Sequence, residues 1–282
     1  MNNPGAAAPD AVDPDAAPLP NHNPIFHLTA EEKRQAMDLK EAVEAADHIE
    51  NLSDFDYVTM TLGCDGDIPR AVDATYKLQS FRKLYNIQET PQDGVAALRG
   101  LMLSQPETIL EICYLPTEHT YWFFVDFSKF RPALVQSYDD WRHFQAGAYY
   151  IYRAMASNLQ SIKTGAITMI ECDGVTTDNV SLEFEERIFI ELFSYYPVRY
   201  KETFCLHSPM AFVVFLGVIK RFMSNRMLRS IQTAATFNGY DGRVDQLFKM
   251  PTVEIAQERL LSRMETYLTE RYQNERDFSL ND

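Results

Sequence analysis

From Met210 to Met223 the chain reads MAFVVFLGVIKRFM, and only Gly217, Lys220 and Arg221 interrupt the apolar run. A helix built on it has no polar face to give to water, so it must be buried on every side, span a bilayer, or cover something apolar. Spanning takes about 20 apolar residues, and this run ends in two cations well short of that. A central core helix and an apolar cover remain. Ser208 and Pro209, a capping hydroxyl followed by a proline, supply the start signal.

Two short apolar runs, Ala166 to Ile170 and Thr203 to Leu206, precede this helix and read as strands. Between them Ser181 caps a helical pattern in which Phe184, Ile188, Leu192 and Tyr195 recur every three or four residues. It stops at Tyr195-Tyr196-Pro197, where proline has no amide to continue it. The order strand, helix, strand, helix is that of an α/β domain.

Four motifs stand in order over this stretch: Glu171 to Gly174, Tyr195 to Arg199, His207 to Pro209, and Lys220 to Phe222. Together they resemble the CRAL-TRIO domain, a family of lipid binders that includes retinaldehyde-, tocopherol- and phosphatidylinositol-transfer proteins. The resemblance implies a mixed sheet flanked by helices, with Met210 to Met223 as a gate helix over an apolar pocket. A small helical segment precedes that fold, and Phe81-Arg82 followed by Tyr85-Asn86-Ile87 stands where the family usually has an aromatic-Arg pair. The implied lining is Phe123, then Ala166, Thr168 and Ile170, then Thr203 and Cys205 on strands, and Phe212, Leu216 and Ile219 on the gate. Arg199 is kept in the motif and is the head-group candidate, while Lys220, Arg221, Arg226 and Arg229 cluster at and beyond the end of the gate helix, where they serve either membrane contact or the helix's own C-terminal carbonyls. Members that hold phosphatidylinositol carry a glutamate after Tyr-Tyr-Pro and a lysine before the isoleucine of the last strand; here Val198 and Ser230 stand there. The sequence also departs from the family's closing pattern, since Met250-Pro251 is not followed by a Gly-Gly pair.

The 282 residues are 46% apolar, ample for a sizeable core. A net charge of −14 argues against nucleic acid, whose phosphates need a basic surface, and against simple electrostatic capture by anionic membranes. Membrane docking then needs a local basic patch with inserted apolar residues. No window reaches membrane-spanning length, and Met1 opens onto Asn, Pro, Ala and Asp rather than a signal peptide. Cys64, Cys113, Cys172 and Cys205 stand far apart and read as reduced thiols. The expectation is a soluble cytoplasmic protein with transient contact at a membrane surface.

Residues 1–24 have the composition of a disordered tail. A helical segment over 25–94 follows: Thr29 and Glu32 form a capping-box pattern for a helix to about His48, Ser53 to Leu62 is a second helix, and Ile68 to Tyr85 a third. Cys64-Asp65-Gly66-Asp67 reads as a turn, because the further ligands and final glutamate of a calcium loop are missing. The lipid-binding domain spans 95–251. It opens with a helix from Val95 to Ser104 and with strands Ile109 to Tyr114 and Tyr121 to Phe127, joined by a turn at Pro116 to Thr120. Asp139 is placed to cap a long helix whose stripe of Trp141, Phe144, Ala148, Tyr152 and Met155 reads as core. Ser230 to Thr236 reads as a last strand. Within 252–282, Thr252 to about Tyr272 is an amphipathic helix with Ile255, Leu261, Met264 and Leu268 inward.

Nucleotide-binding, hydrolase-elbow and zinc-protease motifs are absent. Asp126, Glu171 and Asp173 stand where α/β enzymes place their sites, but loop carboxylates in so acidic a chain are ordinarily solvated. Cys205 and His207 share a strand face and read as a core thiol and a capping-region histidine. A lipid chain of about 16 carbons exposes on the order of 13 kcal/mol of apolar surface to water, so a carrier must sheath it. The sequence points to non-enzymatic binding and transfer or presentation of a lipid, with no cofactor and no metal. The alternative is the same fold with its pocket filled by its own side chains, acting as an interaction or regulatory module.

Overall fold

A computed structural model describes residues 28–45, 52–115, 120–188, 190–191, 198–223, 225–233 and 251–281. The expected tail, Tyr195-Tyr196-Pro197, and the expected turn at Pro116 to Thr120 lie outside them or on their edge. Helix α1 (Ala30–Glu44) begins at the expected capping box: the Glu32 amide donates to Thr29 Oγ1 at 3.2 Å, and the Thr29 amide to Glu32 Oε2 at 2.8 Å. Ser53 and Asp56 cap α2 (Asp54–Gly63) in the same way, and Asp67 caps α3 (Ile68–Leu84) with proline in its first turn. Thr90 caps α4 (Pro91–Ser104), so that helix starts at Pro91 rather than Val95 and the boundary expected at residue 94 falls inside it.

Among the described residues five strands follow: β1 (Leu110–Leu115), β2 (Thr120–Asp126), β3 (Ala166–Glu171), β4 (Tyr200–Leu206) and β5 (Ile231–Thr233). They lie side by side in chain order, β1 antiparallel to β2 and the rest parallel. Parallel neighbours require crossovers. Helices α5 (Tyr138–Ala156) and α6 (Leu159–Thr164) connect β2 to β3, α7 (Leu182–Ile188) follows β3, and α8 (Met210–Ile219) and α9 (Asn225–Ser230) connect β4 to β5. Ser137 caps α5, with Asp140 completing its box; Asp139, expected in that role, is in the first turn. At the β3 entry Gly165 has φ +90°, and a Cβ there would meet the Lys201 amide nitrogen at 2.8 Å, so glycine is required both for conformation and for space.

Strand alternation assigns the two sheet faces. Trp122, Phe124, Ile167, Met169, Phe204 and Leu206 form one buried cluster with Ala256 of α10 (Val253–Thr266). The buried face of α10 is Ala256, Leu260 and Met264, continued by Leu268; Met264 and Leu268 face inward as expected, whereas Ile255 is exposed and Leu261 half-buried. Beyond it a π-helical turn, Tyr267–Arg271, leads into a final helix, Tyr272–Arg276.

A buried polar network joins the N-terminal helices to α5. The carboxylate of Asp56, 1% exposed, pairs with Arg153 and lies 3.3 Å from Arg82 Nη2. Arg82 also lies 3.3 Å from Glu89, which accepts hydrogen bonds from the hydroxyls of Tyr149 and Tyr272. Burial opposes the charge on Asp56, but Arg153 and Arg82 outweigh it and hold the carboxyl well below the usual range; Glu89 is likewise lowered by Arg82 and Arg153 against its own burial.

Candidate ligand-binding site

The other face of the sheet is not packed solid. Phe123, Thr168 and Thr203 lie in one cross-strand register row, and Val125, Ile170 and Cys205 in the next. Both rows floor a cavity of about 200 Å³. Its walls are α5, through Phe144, Ala148 and Tyr152; α7, through Phe184, Glu185 and Ile188; and the 3₁₀ turn Phe127–Lys129 with Phe130. Part of the aromatic stripe of α5 read as core is therefore cavity wall. The opposite side of that helix, including Tyr149, Tyr150 and Arg153, is fully buried instead.

Helix α8 covers one side of the cavity, which stays partly open. Phe212, Leu216 and Ile219 are buried and line it, with half-buried Phe215 beside them. The rest of the helix faces outward while remaining apolar: Met210 is 76% exposed, Val214 62%, and Val213 and Val218 42% each. The helix is thus neither a core helix nor solvated on a polar face. It is also shorter than the apolar run, since Lys220–Phe222 form a 3₁₀ turn. Its start differs from expectation too. Pro209 is the N-cap and makes no capping side-chain bond, because the Ser208 hydroxyl turns back to the Cys205 carbonyl at 3.1 Å.

Of the residues expected to line a pocket, Phe123, Thr168, Ile170, Thr203, Cys205, Phe212, Leu216 and Ile219 surround this cavity. Ala166 does not: it lies at the start of β3, where the register shifts, and packs in the core cluster on the α5 side. Arg199, expected near a head group, is instead tied to the N-terminal helices by Asp65 at 2.5 Å and by the Leu62 carbonyl. Lys220, Arg221 and Arg229 are exposed and make no ion pair among the described residues, and the Arg221 guanidinium stacks 4.5 Å from the Phe222 ring centroid. Arg226 belongs to α9, but its side chain lies outside the described residues. Strand β5 ends at Thr233, and the rest of the expected last strand also lies outside them.

The candidate catalytic groups are used locally. Asp126 Oδ1 accepts from the amide and hydroxyl of Ser128, and Glu171 accepts from the Asp173 amide at 2.8 Å and pairs with His207 Nδ1 at 3.0 Å. Burial, which favours the protonated thiol, pushes Cys205 up to about 12 against the opposing charge of Lys220. Among the described residues no cluster of His, Cys, Asp or Glu could hold a metal, and no helix is long and apolar enough to cross a membrane.

Sequence reasoning missed the α5, α7 and 3₁₀ walls and the polar residues Gln105, Thr108, Glu185 and Tyr200. Helix α7 reads LEFEERI, and its acids suggest a solvated face. A signal was present: Glu185 lies three residues before Ile188 and next to Phe184, within the width of a buried helical stripe.

A sheet face and an apolar helix enclosing a cavity of this composition define an α/β domain built around an apolar interior site. The model of the CRAL/TRIO domain matches residues 83–238, more than half of the chain, and the chain belongs to that family, one of lipid-binding proteins. A crystal structure of Sfh5 has the same fold, with a TM-score of 0.50 at 11% identity over 83% of this chain and 98% of that one. No curated protein matches the sequence.

Proposed function

We propose that this chain carries or presents a lipid held between the sheet and α8, and exchanges it at a membrane surface without chemistry of its own. The observation that carries the reading is the two-sided apolar character of α8, which covers the cavity with Phe212, Leu216 and Ile219 while exposing Met210, Val213, Val214 and Val218. Water gains nothing from that outer face, whereas a bilayer interface gives it an apolar environment as the inner face opens. Lys220 and Arg221 follow it directly and Arg229 stands on α9; none of the three is ion-paired among the described residues, and together they supply basic groups on an acidic protein. Each contributes about 1 kcal/mol near an anionic leaflet.

At about 200 Å³ the cavity is smaller than the usual range for ligand sites, roughly 300–1,000 Å³. Accommodation of a long chain therefore needs α8 to move outward. The same volume supports a second reading, in which the closed form is the working form and the protein is an interaction or regulatory module. Transfer of a fluorescent lipid between phosphatidylcholine vesicles separates the two. A carrier accelerates transfer in proportion to protein concentration, and a module with a permanently closed pocket leaves the spontaneous rate unchanged.

A further inference from the structure

The polar atoms of the cavity wall can be accounted for one by one. Gln105 is spent on the Arg131 backbone, donating to its carbonyl at 2.9 Å and accepting from its amide at 2.8 Å. Thr108 donates to the Lys129 carbonyl at 3.4 Å, Tyr200 to the Tyr152 hydroxyl at 3.2 Å, and Thr203 is within 3.4 Å of the Ser230 hydroxyl. Two groups are left over. The Thr168 hydroxyl is buried with no hydrogen-bond partner. The Glu185 side chain, 9% exposed, makes no hydrogen bond or ion pair among the described residues. Among the described residues no Lys, Arg or His lines the cavity.

A buried carboxyl without a partner is costly, and native proteins ordinarily pair it or hydrogen-bond it. Burial alone pushes Glu185 up to about 8, which is what the absence of any compensating cation produces. The wall thus offers carboxylate and hydroxyl oxygens as acceptors and lacks the donor-rich cation that would match them. An ammonium group provides three donors and one positive charge, and charge-assisted hydrogen bonds of this kind are the stronger ones in a low-dielectric site. An ammonium group stabilises the ionised carboxyl that burial otherwise keeps protonated, whereas an anionic head group would favour the protonated form further and meet no cation to offset its own charge. The modest volume fits one acyl-type chain better than two.

We infer that the cavity recognises a single-chain lipophilic amine, its ammonium group held by the Glu185 carboxylate and the Thr168 hydroxyl and its chain lying along the apolar sheet face. This rests on the carrier reading and narrows it to a ligand class. The test uses the full-length protein with Nile red as a neutral reporter and three competitors of equal chain length at pH 7: dodecylamine, dodecanol and dodecanoate. Dodecylamine is expected to displace the dye at a concentration at least about tenfold lower than either competitor, which corresponds to ~1.4 kcal/mol of selectivity. Glu185→Gln should bring the amine and the alcohol to within about threefold of each other while the dye still binds. Thr168→Val, which keeps the carboxylate, should give a smaller loss and serves if the glutamine variant melts early. Dye binding without amine preference, or a preference untouched by Glu185→Gln, overturns the inference and leaves the carrier reading standing. If the dye does not enter the wild-type protein and no competitor binds, both fall.

Discussion

Arg82 Nη2 lies 3.3 Å from Asp56 Oδ1, with both side chains removed from water. The contact joins α3 to α2, and Arg153 of α5 reaches the same oxygen, so one carboxylate fastens the N-terminal helices to the sheet-bearing part of the chain. Phe81-Arg82 could be picked out in the sequence; its partner could not.

Asp56→Ala leaves Arg82 with Glu89 and Arg153 with the more distant Glu275, but removes the one carboxylate that the two arginines share. Truncating one member of a buried pair costs about 3–5 kcal/mol, so the variant should unfold at much lower urea concentration. A midpoint unchanged from wild type would mean that Arg82 and Arg153 do not depend on Asp56.

Stability should fall on both sides of mildly acidic pH, for opposite reasons. Asp56 and Glu89 are held below their ordinary values, so their contribution is present above the unfolded carboxylate pKa and is lost as pH drops through the folded one. Glu185 is raised to about 8, so the folded state binds its proton more tightly than the unfolded chain and stability declines as pH rises from the unfolded value through the folded one. Melting temperature measured from pH 5 to 9 should slope downward in the ligand-free wild type and be flatter in Glu185→Gln. Parallel curves for the two proteins would contradict this.

The double substitution Val214→Asp with Val218→Asp places charges only on the outward face of α8. Exposed positions change stability by about 0.5 kcal/mol or less, so the melting temperature should hold while cosedimentation with phosphatidylcholine vesicles is lost. Retained cosedimentation would show that this face does not meet the bilayer.

Reversing Arg221 and Arg229 to Glu should weaken binding to anionic vesicles far more than to neutral ones, and the difference should shrink as salt is raised, because exposed charges are screened over about 8 Å at physiological ionic strength. Equal loss on both vesicle types would assign the residues to the fold rather than to the surface.

The parts legible in the sequence are those written by neighbours along the chain. Thr29, Ser53 and Thr252 cap their helices, and the alternation in β2, β3 and β4 sorts Thr168 from Met169 and Thr203 from Phe204 onto opposite faces. Where two capping residues competed, local pattern failed: Ser137 won over Asp139, and Ser208 satisfied a strand carbonyl instead of the helix. Asp56 and Arg153 lie 97 positions apart, so nothing local marks either as paired. Arg199 was placed by its motif, yet its contacts are made by Asp65 and Leu62 in a segment the motif does not include. Glu185 was hidden among the acids of its own helix, since only the tertiary position of Phe184 and Ile188 turns it inward.

The central claim is that a hydrophobic molecule occupies the space under Leu216. Mass spectrometry of organic extracts from the purified protein, read together with the melting temperature of wild type and Leu216→Glu, tests it most directly. A carboxylate in a space that opens to water stays hydrated, whereas one forced into a dry, filled core costs several kcal/mol or must protonate. The account predicts near-stoichiometric hydrophobic ligand in wild type, and a variant that stays folded but emerges without it. A wild-type protein with no extractable ligand, together with a variant that fails to fold, would contradict it.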